Sequence, residues 1–160
     1  MDTKRVPERA YDEAFRIMTE DATPDIAAAY ALLHDAHDGG DRRATYAIAT
    51  WYLFGKAPVV ARDYKAAFEL LRLAAEANIP DALYDLGVSY ERGAGTEASE
   101  RSAFLCFLRA AVLGDSKGAY AVSRCYMHAF GTAKDQDTSD IWYDRARSLG
   151  YEPDDRDSDA

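Results

Sequence analysis

The chain has 160 residues, 48% hydrophobic and 12% aromatic, enough for one folded domain with a core and too few for two comfortable ones. Its 28 acidic against 19 basic residues leave a net charge of -9, which excludes non-specific attraction to nucleic-acid phosphates or anionic lipid and points a charged partner toward basic character. No apolar run approaches the roughly 18 residues of a membrane span, and no basic leader followed by an apolar run is present, so neither a membrane segment nor an export signal is expected and the setting reads as cytoplasmic.

In chain order, apolar residues at three- and four-residue spacing mark amphipathic helices of two alternating types. The first, RAYDEAFRIMTE (9–20), is the degenerate one. Thr23 and Pro24 then read as cap-then-proline, opening AAAYALLHDAHDGG (27–40). ATYAIATWYLFGKA (44–57) is followed by AAFELLRLAAEAN (66–78), ALYDLGVSYERGAG (82–95) by SAFLCFLRAAVLG (102–114), and GAYAVSRCYMHAFG (118–131) by TSDIWYDRARSLG (138–150).

These segments superpose without gaps, which makes the chain a repeat array. In the first type, Tyr46, Tyr84 and Tyr120 share a column, as do Ala49, Gly87 and Ser123, and Tyr52, Tyr90 and Tyr126. In the second, Ala29, Ala67, Ala103 and Ser139 form one column and Leu33, Leu71, Phe107 and Tyr143 another. Gly40, Asn78, Gly114 and Gly150 close the second-type helices, as left-handed C-terminal caps require, and Asp63, Ser99 and Asp135 stand where a side-chain oxygen caps the helix start. Gly87 offers room for a partner helix, and Gly93 and Gly95 turn the chain after it.

The architecture predicted is all-α: antiparallel helix pairs stacked into an α-solenoid of about eight helices, each pair burying its face on its neighbours. One domain is expected over residues 1–152, with a degenerate pair at 9–40 and repeats at 44–80, 82–117 and 118–150, followed by a disordered acidic tail at 153–160. In the last copy Asp140 replaces Phe68 and Phe104, and Arg147 replaces Ala75 and Ala111. Those columns lie two turns apart on one face, which is expected to meet water and to finish the array.

The columns A-x-Y-x-L-G-x-x-Y-x-x-G-x-G, D-x-x-x-A and A-A-x-x-G, best kept at Ala82, Leu86, Gly87, Tyr90, Gly93, Gly95, Ala103, Ala110, Ala111 and Gly114, resemble Sel-one-like repeats, relatives of the tetratricopeptide (TPR) repeat. The resemblance covers about 110 residues. It implies a right-handed superhelix used for protein recognition, as adaptor or scaffold. The copy at 44–80 departs from it, with two extra residues in KAPVVAR (56–62) and Ala57 in place of a glycine, and the last copy departs at Ala129 and Arg147.

Catalytic and cofactor readings are weaker. Gly93 and Gly95 follow a helix and lack the third glycine of a dinucleotide loop. His34 and His37, one turn apart, supply too few ligands for a metal, so none is expected. Cys106 and Cys125 sit in apolar patterns and read as buried thiols, not as a disulfide or a nucleophile, although Cys125 with His128 is the enzymatic alternative. Asp154 and Asp155 fall in the tail with no pocket. No catalytic residue and no cofactor is assigned.

What remains is a surface. First-type helices of helix-pair solenoids line the concave side, which gives Tyr46, Thr50, Leu53, Tyr84, Val88, Glu91, Tyr120, Arg124 and Met127 as partner-binding residues. The tyrosine column is either contact surface or packing; Arg124 and Met127 depart from their columns in kind. The function expected is a non-enzymatic protein-protein interaction module recognising a basic protein or peptide, such as a bacterial adaptor or an antitoxin-like inhibitor, and acting as monomer or homodimer. An architectural homodimer is the other alternative.

Overall fold

The computed structural model describes residues 5–20 and 22–153, with side chains from residue 9 onward. Eight helices run through them: α1 (Arg5–Glu20), α2 (Ile26–Asp38), α3 (Arg42–Phe54), α4 (Tyr64–Glu76), α5 (Pro80–Arg92), α6 (Glu100–Val112), α7 (Ser116–His128) and α8 (Gln136–Ser148). The expected tail lies, apart from Pro153, outside the described residues. The helices group into two compact units, α1 to α4 with Ala94–Thr96, and α5 to α8.

Local chemistry explains where the second-type helices begin. Asp63, Ser99 and Asp135 take extended backbone, and their side chains accept from N–H groups of the first turn: Lys65 and Ala66, Ser102, and Thr138. The same residues tie each pair together. Their own N–H groups donate to the backbone carbonyls of Tyr52, Tyr90 and Tyr126 at 2.9, 3.0 and 3.0 Å, so the last turns of the first helix fix the start of the second. This bond survives the two extra residues at 56–62, which close on themselves through paired bonds between Lys56 and Val60 (2.8 and 2.9 Å). Asp63→Ala, which leaves two first-turn donors without their acceptor, should lower unfolding free energy by about 0.5–2 kcal/mol in a urea titration.

Thr23 is not the cap of α2. Asp25 is, with extended backbone and Oδ1 accepting from Ala28 N–H at 3.0 Å. Pro24 holds the residue before it extended, and only the carboxylate one residue further on reaches the first turn. At the opposite ends the prediction is borne out: Gly40, Asn78, Gly114 and Gly150 all have positive φ, of 91°, 57°, 92° and 91°.

Each unit has its own core. In the first, Ala14, Ile17, Ala29, Leu33, Ala36, Ala44 and Ile48 are buried together. In the second, Phe104, Phe107, Ala111, Val122, Cys125 and Ala146 are among the buried residues. The small column sets the approach within the second pairs. A Cβ at Gly87 would lie 2.5 Å from the Phe107 ring, and Ser123 meets Ser139, whose hydroxyl donates to the Ser123 carbonyl at 2.9 Å while the two hydroxyls lie 3.1 Å apart. A buried serine pair is tolerated there because the hydroxyls satisfy one another. Asp140 and Arg147 are exposed.

Candidate functional site

In the second unit, α5 and α7, both first-type helices, touch directly. Repeat register places Tyr84, Val88 and Glu91 on α5 beside Tyr120, Arg124 and Met127 on α7. An Arg124 guanidinium nitrogen donates to Glu91 Oε1 at 2.6 Å, so the two columns share a face. Arg124 is exposed and Glu91 half-buried; such a pair contributes about 0.2–1 kcal/mol of stability after solvent screening, and its main effect is to hold both side chains in place.

The tyrosines divide their duties. The Tyr84 ring packs 5.7 Å from Phe107, with Lys117 Nζ 5.9 Å from its centroid. Burial pushes the Tyr84 hydroxyl above its ordinary range; Arg124 opposes the shift, and Asp85, Glu91 and Asp115 add to it. Tyr120 stacks on Tyr151 at 4.3 Å and tilts against Tyr143 at 6.2 Å. Both rings therefore serve packing. Val88 is half-buried against the same core, and Met127 is half-buried. In the first unit, Tyr46 and Leu53 are half-buried, and the half-buried Thr50 spends its hydroxyl on the Ala47 carbonyl at 2.7 Å.

Around Tyr84 stand three carboxylates, Asp85, Glu91 and Asp115, and two cations, Lys117 and Arg124, with Asp81 beside Asp115. Asp115 caps α7 through the Gly118 N–H. Its carboxyl is raised, first by burial and also by Asp81, against the lowering effect of that hydrogen bond and of Lys117. The local balance is acidic.

Cys125 is buried in α7, and desolvation raises its thiol to about 12; Cys106 is raised to about 11 for the same reason. A thiol so placed holds almost no thiolate at neutral pH. His128, one turn on, is exposed. Both cysteines are free. His34 and His37 do not converge: their rings stand 84° apart at 6.4 Å, and His37 Nδ1 lies 2.8 Å from Thr45 Oγ1. Among the described residues no group of three or more His, Cys, Asp or Glu is arranged to hold a metal, and no helix is long and apolar enough to cross a membrane.

The family model described as "Sel1 repeat" matches residues 42–79, 80–115 and 116–151, which are the three helix pairs α3–α4, α5–α6 and α7–α8. The chain belongs to the Sel1 repeat family. Sel1 repeats generally mediate protein-protein interaction, and their fold is a protein-interaction scaffold. Two solved structures share the helical-solenoid fold. One is a protective antigen of uropathogenic Escherichia coli displaying an SLR fold, 25% identical with a TM-score of 0.85 over 91% of this chain and 31% of that one. The other is a Sel1 repeat protein from Oxalobacter formigenes, 27% identical with a TM-score of 0.81 over 91% of this chain and 42% of that one. Among curated relatives, "Chitin synthase regulator SKT5" of Saccharomyces cerevisiae is 35% identical over 72 residues, which is 45% of this chain and 10% of that protein. This Sel1 repeat chain thus spans about a third of the antigen and a tenth of the yeast regulator.

Proposed function

We propose that the chain is a non-enzymatic interaction module that binds a basic protein segment on the face formed by α5 and α7. The observation that carries this reading is the Glu91–Arg124 pair, which fixes two polar side chains across neighbouring first-type helices, flanked by half-buried Val88 and Met127. An apolar patch with held charges suits recognition better than a plain packing surface does. The three carboxylates around Tyr84, with Asp81 beside Asp115, favour a partner rich in lysine or arginine, and complementary charge speeds its encounter. Tyr46, Thr50 and Leu53 are the corresponding positions on α3. The enzymatic alternative has the burial of Cys125 against it. The cytosol, where the two free thiols stay reduced, is the proposed setting, with the chain acting as monomer or homodimer.

The test reverses the pair without breaking it. Glu91→Arg combined with Arg124→Glu keeps an ion pair across α5 and α7, and its thermal unfolding should match that of the wild type. Immobilised wild type should capture a set of proteins from lysate, read by mass spectrometry, that the reversed variant retains about tenfold less, a change of about 1.4 kcal/mol. Equal capture by a folded reversed variant removes this face from function.

A further inference from the structure

A second surface in the same unit has the opposite character. Between α6 and α8 lies a groove of about 270 Å³ lined by Ala111, Val112, Ile141, Trp142 and Arg145. Val112 is 71% exposed and Ile141 67%, large values for aliphatic side chains that flank one groove. Leu105, 44% exposed, extends the apolar strip, since it stands two turns before Val112 on α6 and shares a repeat column with Ile141. The repeat does not demand this. In α4 the same columns hold Glu69 and Glu76, and Glu69 pairs with Arg72 at 3.0 Å in solvent. The outward apolar residues of α6 and α8 are thus a property of these two helices.

The groove is smaller than the roughly 300–1,000 Å³ of ordinary small-molecule sites, so its natural occupant is a side chain. Charge selects the chain that carries it. Arg145 is the one charged residue among the five that line the groove, and Arg109 adds a second cation one turn before Val112, in a molecule of net charge -9. A second copy docked groove to groove by two-fold symmetry brings no carboxylate among its five lining residues to face Arg145. The chain's own last residues, EPDDRDSDA, carry the complementary charge but no large apolar side chain to fill the floor. We infer that the α6–α8 groove docks an acidic amphipathic segment of a separate partner protein, with one large apolar side chain against Ile141, Val112 and Trp142 and a carboxylate on Arg145. The two faces of the second unit then take partners of opposite charge.

The test uses the full chain, labelled with nitrogen-15, and a short synthetic peptide carrying leucine and phenylalanine one helical turn apart among glutamates. Saturable shifts are expected at the Trp142 indole N–H and at the amides of Val112 and Ile141. The same peptide with lysine for glutamate should bind at least about tenfold more weakly. Arg145→Glu, at an exposed position, should keep the unbound spectrum and reverse that preference, while the Glu91/Arg124 reversal should leave it unchanged. Absence of saturable shifts at millimolar peptide overturns the inference, as does equal affinity for the lysine peptide. So does a shift of these same resonances with protein concentration alone, which would mean that a second copy covers the groove.

Discussion

Phe107→Ala is expected to lower the unfolding free energy by about 3–5 kcal/mol, a large share of the roughly 5–15 kcal/mol of an ordinary domain. Phe107 is 1% exposed. Its ring fills the space over Gly87 and touches Tyr84 on the first helix of the same pair. Gly87→Ala adds a methyl 2.5 Å from that ring, so it should be destabilising by about 1–3 kcal/mol although alanine is the better helix former by about 1 kcal/mol. The decisive arm is the double variant. The first repeat carries Ala49 and Leu71 where the second carries Gly87 and Phe107. Rebuilding that combination as Gly87→Ala with Phe107→Leu should therefore be less destabilised than the two single changes summed, by at least about 1 kcal/mol. Urea midpoints for wild type, both single variants and the double variant measure this. Strict additivity would show that the glycine is not there for the ring.

The elements that could be read from the sequence are those whose physical requirement is local. A capping oxygen at Asp63, Ser99 or Asp135 and a left-handed residue at Gly40, Asn78, Gly114 or Gly150 are demands of the chain within one turn of itself, and the structure meets all seven. The cap of α2 was misplaced because Thr23 and Asp25 both offer an oxygen near Pro24, and only geometry decides which one reaches Ala28. Columns likewise placed Arg124 and Glu91 on one face, but not their ion pair, which spans 33 residues. Each is an odd residue in its own column, and the structure supplies the common reason: the two departures compensate one another across α5 and α7. The α6–α8 groove left a fainter trace. Its signal is the change from Glu69 to Leu105 and Ile141 within one column, and it gains meaning only once Trp142 and Arg145 are seen to line the same hollow.

Two glycines of the second unit share positive φ and should nonetheless lose different amounts of stability to the same substitution. Gly114, at φ 92°, has nothing within 4 Å of where a Cβ would sit, and its column already accepts Asn78 at φ 57°. Gly114→Asn should cost no more than about 1 kcal/mol. Gly131, at φ 66°, lies in the loop between α7 and α8, pressed on the start of α6. A Cβ there would collide with the Glu100 carbonyl and come within 2.9 Å of Phe104 Cβ. The neighbouring groups have little freedom to yield, because Phe104 is buried and an Arg101 guanidinium nitrogen donates to the Gly131 carbonyl at 3.2 Å. Gly131→Asn pays the same left-handed cost of no more than about 1 kcal/mol and adds about 1–3 kcal/mol of overpacking, so a loss of about 1–4 kcal/mol is expected. Thermal and urea unfolding of the two variants side by side check the contrast. Equal, small losses would mean that the loop can lift from α6 at little cost. A large loss at Gly131 alone makes this close contact a clamp between the α7–α8 loop and the start of α6, holding the second and third repeats together.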